Sequence, residues 1–513
     1  MKVIATLTAA ALLAFTTAGL ASAAAAEPKT PKVDKPRLTA AAKNVRLKAS
    51  LPGTNGAISI AFAQYGPRDV AFVSATDGLK TFDVTDLDQP KLLDHLTKQE
   101  MALPGDDTTQ IFWENEDINV DPKRKLAFLA RETNSFGRKL PGDRPTGNYI
   151  VSAVDPADLK VLSFHRQNTG HTSTCINDCQ FLWTAGLDRS DAKTGRIFVT
   201  DIRDPKTPQE LPVSIDVRGK AGEGKITHDV QVDAQGIAWV AGDNGTRGYY
   251  TRGWHRDPLS GKYREAKAWD PVAYAGGNVP KIDMPTSFTH NSMRPVGSTI
   301  DDGPRPTRDN PAGSLLLHTE EAFGSSTCKD QGRFVISSLK GTHNGEGWAE
   351  TPAEMKTVGV WSPDDQEGTI PGDVTCSAHY FDVKKRIVAY SWYDQGTRFL
   401  DISNPAKPIQ IGYWRPDAAT SWAPYWHRNA VFIADISRGV EIVALEQGAY
   451  EAQASGTNVT LTTQYAKELA RESGRDRVPL APNPFYGWAC PMIASRDDAG
   501  SADCGVGACG APC

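Results

Sequence analysis

A short Asp/Pro phrase recurs three times at wide intervals along the chain. Each copy follows an apolar, β-branched or aromatic run and reads Asp, an aliphatic residue, a polar residue, then Asp or Asn, with proline soon after; the copies span residues 83–90, 201–208 and 401–408. A strand, a fixed turn and another strand, repeated along a chain, indicate units that must stack on their neighbours to bury their apolar faces. The sequence is therefore more informative about fold than about chemistry.

Strand signals followed by Gly- or Asp-rich turns recur seven times, in residues 70–78, 125–134, 180–188, 237–245, 314–321, 387–396 and 430–439. Turns of the Asp-Gly, Asn-Gly and Gln-Gly kind suit antiparallel hairpins. No amphipathic helix separates the units. The pattern predicts an all-β fold, a seven-bladed β-propeller of four-stranded antiparallel blades. An open array of sandwiches is the alternative.

The two ends of the repeat region complement each other. The last unit stops after residues 440–445 and lacks an outer strand, whereas residues 44–51 resemble an outer strand with no unit of its own. We therefore expect this N-terminal strand to complete the last blade. Such a closure would remove two exposed sheet edges, which are otherwise prone to pair with other chains.

The repeated phrase resembles the LVIVD repeat of secreted or surface propellers from bacteria and archaea. The resemblance rests on residues 79–86 and 397–405, is looser at 152–156, and extends over roughly residues 44–445. It implies a propeller and a cell-surface or secreted location. It implies no reaction, because the repeat family is defined by its fold.

The terminal regions predict export. Residues 1–26 have a Lys followed by an apolar Ala/Leu-rich stretch, and a signal peptidase would cut after Ala23 or Ala26. Residues 27–43 form a flexible lead, residues 44–450 the propeller, and residues 451–513 a Cys-rich extension. No later run is apolar enough to cross a bilayer. We expect a secreted, extracellular protein with no membrane span after cleavage.

Charge and missing motifs narrow the function classes. The net charge is −5 and there is no long basic stretch, which argues against nucleic acid as a partner. The chain has neither a Gly-x-Ser-x-Gly nor a phosphate-binding loop, and the glycine pattern at residues 505–510 follows no strand and opens no helix. These absences weaken hydrolase, kinase and dehydrogenase interpretations. We expect a monomer.

Histidines carry the strongest chemical signal. His171, His228 and His379 each precede a strand signal by eight or nine residues, and Glu116 holds the matching place in its unit. His290 has a similar local context, further from its strand. The inner strand of each blade should begin at these places, and inner strands line the central channel. Four imidazoles and a carboxylate from blades 2 to 6 would then converge near the axis.

Three interpretations of this axial cluster remain open. Neutral imidazoles suit a transition metal such as Cu, Zn or Fe, with Glu320 and Glu321 as further oxygen ligands or bases. Each His could instead cap an inner strand by bonding the backbone of the next blade. A metal-free ligand funnel is the third. In the axial arrangement alone, the chain resembles nitrous oxide reductase and the selenium-binding, methanethiol-oxidising family, both of which use copper-type chemistry.

The cysteines predict local disulfide bonds. Cys175 and Cys179 should form a disulfide in an exported chain, with a thiolate metal site beside His171 as the alternative. Cys328 and Cys376 are a second candidate pair. The extension ends in four more cysteines, which could form two bridges or a zinc site without the usual knuckle spacing: Cys490, Cys504, Cys509 and Cys513.

The leading functional interpretation is an extracellular binding or scaffold protein that holds a protein, glycan or small molecule. Long insertions at residues 251–287 and 340–373 would build its face, with Trp254, Trp269, Trp348 and Trp361. The first alternative is an extracellular metal-dependent oxidoreductase that uses the axial His cluster. The second is a metal-free hydrolase or lyase with an axial His as base. The sequence names no catalytic residue.

Overall fold

The computed structural model describes most of the predicted propeller region. The described residues are 40–112, 116–132, 135–136, 145–188, 190, 195–216, 226–243, 245–257, 260–274, 288–295, 315–321, 332–339, 355–364, 366–370, 377–384 and 386–446. The predicted signal peptide, the lead up to residue 39 and the extension from residue 451 lie outside them. Within the described residues, no helix is both long enough and apolar enough to cross a bilayer.

Seven four-stranded antiparallel sheets follow one another along the chain, which confirms the predicted seven-bladed β-propeller. Strands β1 (Ala41–Lys43) and β2 (Val45–Ser50) come first; blade 1 then contains β3 (Ala57–Tyr65), β4 (Arg68–Ala75), β5 (Gly78–Asp83) and β6 (Lys91–Thr97), and blade 2 contains β7 (Asn119–Asp121), β8 (Leu126–Arg131), β9 (Thr146–Ser152) and β10 (Lys160–Gln167). Blade 3 contains β11 (Thr172–Ile176), β12 (Phe181–Ala185), β13 (Arg196–Asp201) and β14 (Gln209–Asp216), and blade 4 contains β15 (Thr227–Val232), β16 (Ile237–Gly242), β17 (Gly245–Tyr250) and, after the hairpin β18 (Gly253–Arg256) and β19 (Tyr263–Ala266), β20 (Val272–Ala273). Blade 5 contains β21 (Thr289–Met293), β22 (Leu315–Glu320), β23 (Phe334–Ser338) and β24 (Lys356–Trp361), blade 6 contains β25 (Phe381–Lys384), β26 (Ile387–Ser391), β27 (Thr397–Asp401) and β28 (Ile409–Arg415), and blade 7 contains β29 (Ser421–His427), β30 (Ala430–Asp435) and β31 (Gly439–Leu445). One short helix, α1 (Lys98–Met101), follows β6.

The N-terminal strand closes the ring as predicted. Strand β2 pairs antiparallel with β31 and becomes the outer strand of blade 7, with Val45 opposite Leu445. Strand β1 adds a fifth strand to blade 6, with Ala41 opposite Arg415. The last three residues of the predicted flexible lead, 41–43, are thus part of the sheet. The backbone of both edge strands is satisfied by the same short segment.

The core lies between the blades. The buried apolar side chains of the described residues form seven clusters, one for each interface between neighbouring blades, including that between blades 7 and 1. At that last interface Phe62 meets Phe432 with ring centroids 5.0 Å apart. Because every blade is covered on both faces, its strands are apolar on successive residues instead of alternating. The closed ring therefore buries both faces of every sheet.

The repeated Asp/Pro phrase is the turn after the third strand of a blade. In each copy the first aspartate ends the strand and its carboxylate accepts the backbone N–H two residues on, at 3.0 Å in Asp83, 3.0 Å in Asp201 and 2.7 Å in Asp401. The second Asp or Asn repeats this Asx turn three residues later. The aliphatic residue between them is buried. The phrase recurs because the same local hydrogen bonds and the same apolar anchor are needed in each blade.

The turns also join neighbouring blades. Thr81 Oγ1 in blade 1 donates to the carbonyl of Pro156 in blade 2, and Ser163 Oγ in blade 2 donates to the carbonyl of Pro205 in blade 3. Inner strands are joined as well, since Thr172 Oγ1 and Thr174 Oγ1 of blade 3 donate to the carbonyls of His228 and Val230 in blade 4. Hydrogen bonds between blades therefore do not depend on the axial histidines alone.

The predicted disulfide between Cys175 and Cys179 is present, in the turn between β11 and β12, with Cα atoms 4.4 Å apart. Both cysteines are buried against blade 2. A disulfide at this place excludes the alternative of a thiolate metal site beside His171. Cys328, Cys376 and the four cysteines of the extension lie outside the described residues.

Candidate metal centre

The five predicted axial residues all stand where an inner strand begins. Glu116 and His171 precede β7 and β11, His228 and His290 are the second residues of β15 and β21, and His379 lies two residues before β25. Inner strands of a propeller surround its central channel and start at the same end. The starts of five consecutive blades therefore bring these side chains to one mouth of the channel.

The side chains converge on one carboxylate oxygen. Glu116 Oε2 lies 3.5 Å from Nε2 of His171, 3.6 Å from that of His228, 3.3 Å from that of His290 and 3.5 Å from that of His379. Nε2 atoms of His171 and His228 are 2.8 Å apart. The structure thus brings together every residue that the sequence analysis placed in the axial cluster.

Two of the imidazoles are fixed by hydrogen bonds at the nitrogen that faces away from the centre. His379 Nδ1 donates to the backbone carbonyl of Trp422 at 2.7 Å, and His171 Nδ1 donates to the Glu132 carboxylate. A proton held on Nδ1 leaves the lone pair of a neutral ring on Nε2. Such outer partners are typical of metal-binding histidines, since they orient the ring and make it a better ligand.

Several buried polar atoms at the centre have no well-aligned hydrogen-bond partner among the described residues. They include Glu116 Oε2, Nε2 of His379, Nδ1 of His228 and both ring nitrogens of His290, which is fully buried. Buried polar atoms without a partner are rare in native proteins, because each costs about 1–3 kcal/mol. These atoms are therefore candidate ligand atoms for a bound group.

The electrostatics of the cluster centre on one ion pair. Burial alone would raise the pKa of Glu116, but the charges of His171 and His379 outweigh it and hold this pKa well below the usual range. Burial alone would lower the pKa of His171, but the Glu116 charge, with Glu132 behind the ring, raises it well above the usual value. The protein without a bound ion therefore holds an anionic Glu116 beside a cationic His171.

Two further imidazoles of the cluster are held neutral. Burial, followed by the nearby His290 and His171, keeps the pKa of His228 well below its usual value. Burial and the neighbouring His379 lower the pKa of His290 to about 3. Neutral imidazole is the form that binds metals, so no proton has to leave these two rings before they coordinate.

Three groups of candidate ligand atoms overlap in the cluster. Three overlapping groups have ligand atoms within 4.8 Å of one another: Glu116 with His290 and His379, Glu116 with His171 and His228, and His228 with His290 and Glu321. An ion that bonds nitrogen at about 2.0–2.1 Å can bridge two ligands up to about 4 Å apart. The chemistry, several imidazoles and one or two carboxylates, suits Zn, Cu, Fe or Ni.

One predicted site residue is displaced and one was missed. Glu320 faces away and pairs with Arg333, Oε2 to Nε 3.0 Å, whereas Glu321 Oε2 is 3.9 Å from His290 Nε2. Burial raises the pKa of Glu321 to about 7. Glu132 was not predicted. Its position in the repeat would have identified it, because Glu132 and Glu321 each directly follow the second strand of their blade.

The remaining described histidines lie outside the cluster. His427 stacks on Phe62 with centroids 4.1 Å apart, and His318 Nδ1 lies 3.1 Å from Ser292 Oγ. Both are buried packing residues, whereas His95, His165 and His255 are partly exposed. His343 lies outside the described residues.

The predicted Trp-rich face is only partly formed. Trp254 is 69% exposed on the β18–β19 hairpin, beside Tyr263 at 68% and not far in sequence from the half-exposed Trp269. Trp361, by contrast, is 6% exposed and packs on Trp392 in the interface between blades 5 and 6, so it does not belong to a binding face. A tryptophan in an outer strand of a propeller is a core residue for the next blade. Trp348 lies outside the described residues.

The site and fold define a seven-bladed propeller with a histidine-rich channel mouth. The chain is similar to solved propeller domains: that of Myceliophteria thermophila Cps50 (Swd1), at 11% identity and TM-score 0.46 over 78% of this chain and 99% of that one, and the WD40 domain of Doa1, at 8% and 0.43 over 79% and 98%. No protein-family model matches the sequence, and no curated protein does so significantly. Likenesses this distant carry no information about the site.

Proposed function

We propose that this protein is an exported propeller that binds one transition-metal ion at the mouth of its channel. The observation that carries the proposal is the convergence of four imidazole Nε2 atoms within 3.3–3.6 Å of one buried carboxylate oxygen. The ligands would be drawn from His171, His228, His290, His379 and Glu116. The metal would be Cu, Zn or Fe, which imidazole ligands favour.

Stitching between blades explains the cluster less well. Only His379 uses a ring nitrogen to bond the backbone of the next blade, at Trp422, and its other nitrogen still faces Glu116. Neither ring nitrogen of His290 bonds a backbone group of the described residues. Four histidines that only bond the backbone of a neighbouring blade would not need to face one carboxylate, whereas four ligands of one ion would.

Catalysis by the bound metal, as in an oxidoreductase, is the second candidate function. Its support is the uneven exposure of the cluster: the His171 side chain is 19% exposed, whereas those of His290 and His379 are essentially buried. One side of the cluster therefore reaches solvent at blade 3. A catalytic metal needs an open position for a substrate, and a purely structural one does not.

A metal titration tests the proposal. Protein freed of metal with a chelator is titrated with Cu²⁺, Zn²⁺ or Fe²⁺, and the stoichiometry and the nitrogen hyperfine structure of the copper signal are measured. We expect one ion per chain bound through several nitrogens, lost in His228→Ala/His290→Ala and kept in the control His165→Ala. Equal binding by wild type and double variant would contradict the proposal.

Export and the LVIVD assignment belong to the same proposal. Their support is the N-terminal sequence pattern, and the Asp/Pro turn whose hydrogen bonds recur in three blades. Secretion in a native host, with a mature N-terminus after Ala23 or Ala26, is the expected result. Retention of the full-length chain inside the cell would contradict it. We further propose that the mature protein is a monomer, which light scattering would test.

Binding of an extracellular protein or glycan is a further proposed role, and the exposed hairpin supports it. Trp254 and Tyr263 lie on the same face of β18–β19, because Trp254 is opposite Glu265 and Arg256 is opposite Tyr263. Exposed aromatic rings beside charged groups are typical of binding surfaces. Loss of wall or glycan binding in Trp254→Ala/Tyr263→Ala, with unchanged metal binding, is the expected result.

A further inference from the structure

A second set of buried polar groups lies next to the histidine cluster in sequence and further along the inner strands. Asp117 follows Glu116, and Asp229 follows His228. Gln231 lies two residues beyond Asp229 on the same inner strand, β15. All three side chains are at least 97% buried. None of them is needed for the proposed transition-metal site, so their burial requires a separate explanation.

The two carboxylates share one amide. Gln231 Nε2 lies 3.3 Å from Asp117 Oδ2 and 3.0 Å from Asp229 Oδ2. Within the described part of the chain, no lysine or arginine forms an ion pair with Asp229. Two carboxylates this close and this deeply buried repel each other strongly unless a cation or protons lie between them.

Unpartnered oxygens point to a cation. Asp229 Oδ1 and Gln231 Oε1 are buried and have no hydrogen-bond partner among the residues that the structure describes. Rotation of the Gln231 amide by half a turn would place Oε1 where Nε2 now stands, between the two carboxylate oxygens. The amide oxygen would then lie about 3.0 Å from Asp229 Oδ2 and about 3.3 Å from Asp117 Oδ2. Oxygens at such spacings can share an ion that binds oxygen at about 2.3–2.6 Å, which is the distance that Ca²⁺ prefers.

We propose that Asp117, Asp229 and Gln231 form a second metal site, specific for Ca²⁺, inside the channel. Oxygen-only ligands favour a hard cation and disfavour the ions that the histidines would take. Water or backbone carbonyls would complete the coordination. The ion would neutralise the carboxylates and join blade 2 to blade 4 across the channel. Mg²⁺ is less suitable, because it retains most of its water shell and rarely enters buried protein sites.

Calcium titration of the full-length protein tests the site. Protein treated with EGTA, and shown by elemental analysis to be free of calcium, is titrated with CaCl₂ in a calorimeter. We expect one Ca²⁺ per chain, and binding at least about tenfold weaker in Asp229→Asn and in Gln231→Leu. Asp382→Asn is the matched control, because Asp382 is a buried inner-strand carboxylate whose bonds go to the backbone N–H groups of Val383 and Trp426. It should bind calcium like the wild type.

Each other outcome overturns the assignment. No uptake by wild type at about 10 mM Ca²⁺, which is above the range of the weakest natural calcium sites, would exclude the site. Equal uptake by wild type, Asp229→Asn and Gln231→Leu would place the ion elsewhere, and preference for Mg²⁺ would refute the choice of calcium. Because the two sites share no ligand, His228→Ala/His290→Ala should still bind Ca²⁺, so the failure of the histidine site would leave this test intact.

Discussion

Replacement of His290 by leucine is expected to stabilise the metal-free protein and to abolish its stabilisation by metal. His290 is fully buried, and within the described part of the chain neither ring nitrogen has an aligned hydrogen-bond partner, although Nε2 is 3.3 Å from Glu116 Oε2. Leucine has a similar volume and no polar atom. The substitution therefore removes two orphaned polar groups and keeps the apolar packing.

The magnitude follows from these contacts. A buried donor or acceptor without a partner costs about 1–3 kcal/mol, and the ring has one of each. Against this, leucine loses ring contacts with His228 and His379, whose centroids lie 4.1 Å and 4.0 Å away, each worth about 0.5–1.5 kcal/mol. The net expectation is a gain of about 1–3 kcal/mol in the free energy of unfolding without metal.

Urea unfolding of wild type and His290→Leu, each in chelator and in excess metal, measures the effect. In chelator the variant should unfold at higher urea, and in metal the order should reverse, because only the wild type gains from binding. The control is His318→Leu. It removes a ring whose Nδ1 meets Thr246 and Ser292 hydroxyls at 3.2 Å and 3.1 Å and whose Nε2 has no hydrogen-bond partner among the described residues. These losses and gains oppose each other, and because His318 is not a proposed ligand, any change in stability should be the same in chelator and in metal. A His290→Leu protein that is less stable than wild type in chelator would refute the reasoning and favour a stitching role.

Three further predictions concern the fold and use urea unfolding as the readout. Gly359→Ala should lower the free energy of unfolding by about 1–3 kcal/mol, because the added Cβ would lie 1.9 Å from the Pro405 carbonyl oxygen of the next blade. The neighbouring Val360, which is 45% exposed, is the control, and Val360→Ala should change stability little. Equal effects of the two substitutions would contradict the tight contact. Deletion of residues 1–51 should lower the free energy of unfolding by at least about 3 kcal/mol, because it removes β2, exposes the edge of β31 and uncovers the interface that Val45 fills. An unchanged unfolding midpoint would disprove closure of the ring by β2. Acid should destabilise the fold through His427, because burial lowers the pKa of this residue to about 3. Between about pH 6.5 and pH 3 the unfolded chain binds a proton on His427 and the folded chain does not. The free energy of unfolding should therefore fall by about 1.4 kcal/mol for each pH unit over this range. His427→Phe, which can still stack on Phe62, should remove that part of the slope, and an identical slope in the variant would show that His427 is protonated in the fold.

The fold could be predicted because its signals are local and repeated. The Asp83 turn, for example, needs an aspartate, a buried aliphatic residue and a proline in a fixed order, and those needs are visible in sequence. The closure by β2 was also readable, because a missing outer strand at one end matched an extra strand at the other. The pairing of β1 with blade 6 was not, because a strand of three residues has almost no sequence signal.

The site could be predicted as far as strand periodicity reaches. Each axial histidine occupies the start of an inner strand, so equivalence among blades was enough to group His171, His228, His290 and His379. The choice between Glu320 and Glu321 depends on which side of β22 each residue faces at the end of the strand, and alternation fails where a strand ends. The charge partner of Glu320, Arg333, comes from the next strand and could not be inferred from local sequence.

The most direct test of the central claim is elemental analysis of the mature protein, purified without chelator and without affinity nickel, beside His228→Ala/His290→Ala. We expect close to one Cu, Zn or Fe per chain in the wild type and almost none in the folded double variant. A wild-type protein without any transition metal, or a double variant that retains its metal, would contradict it.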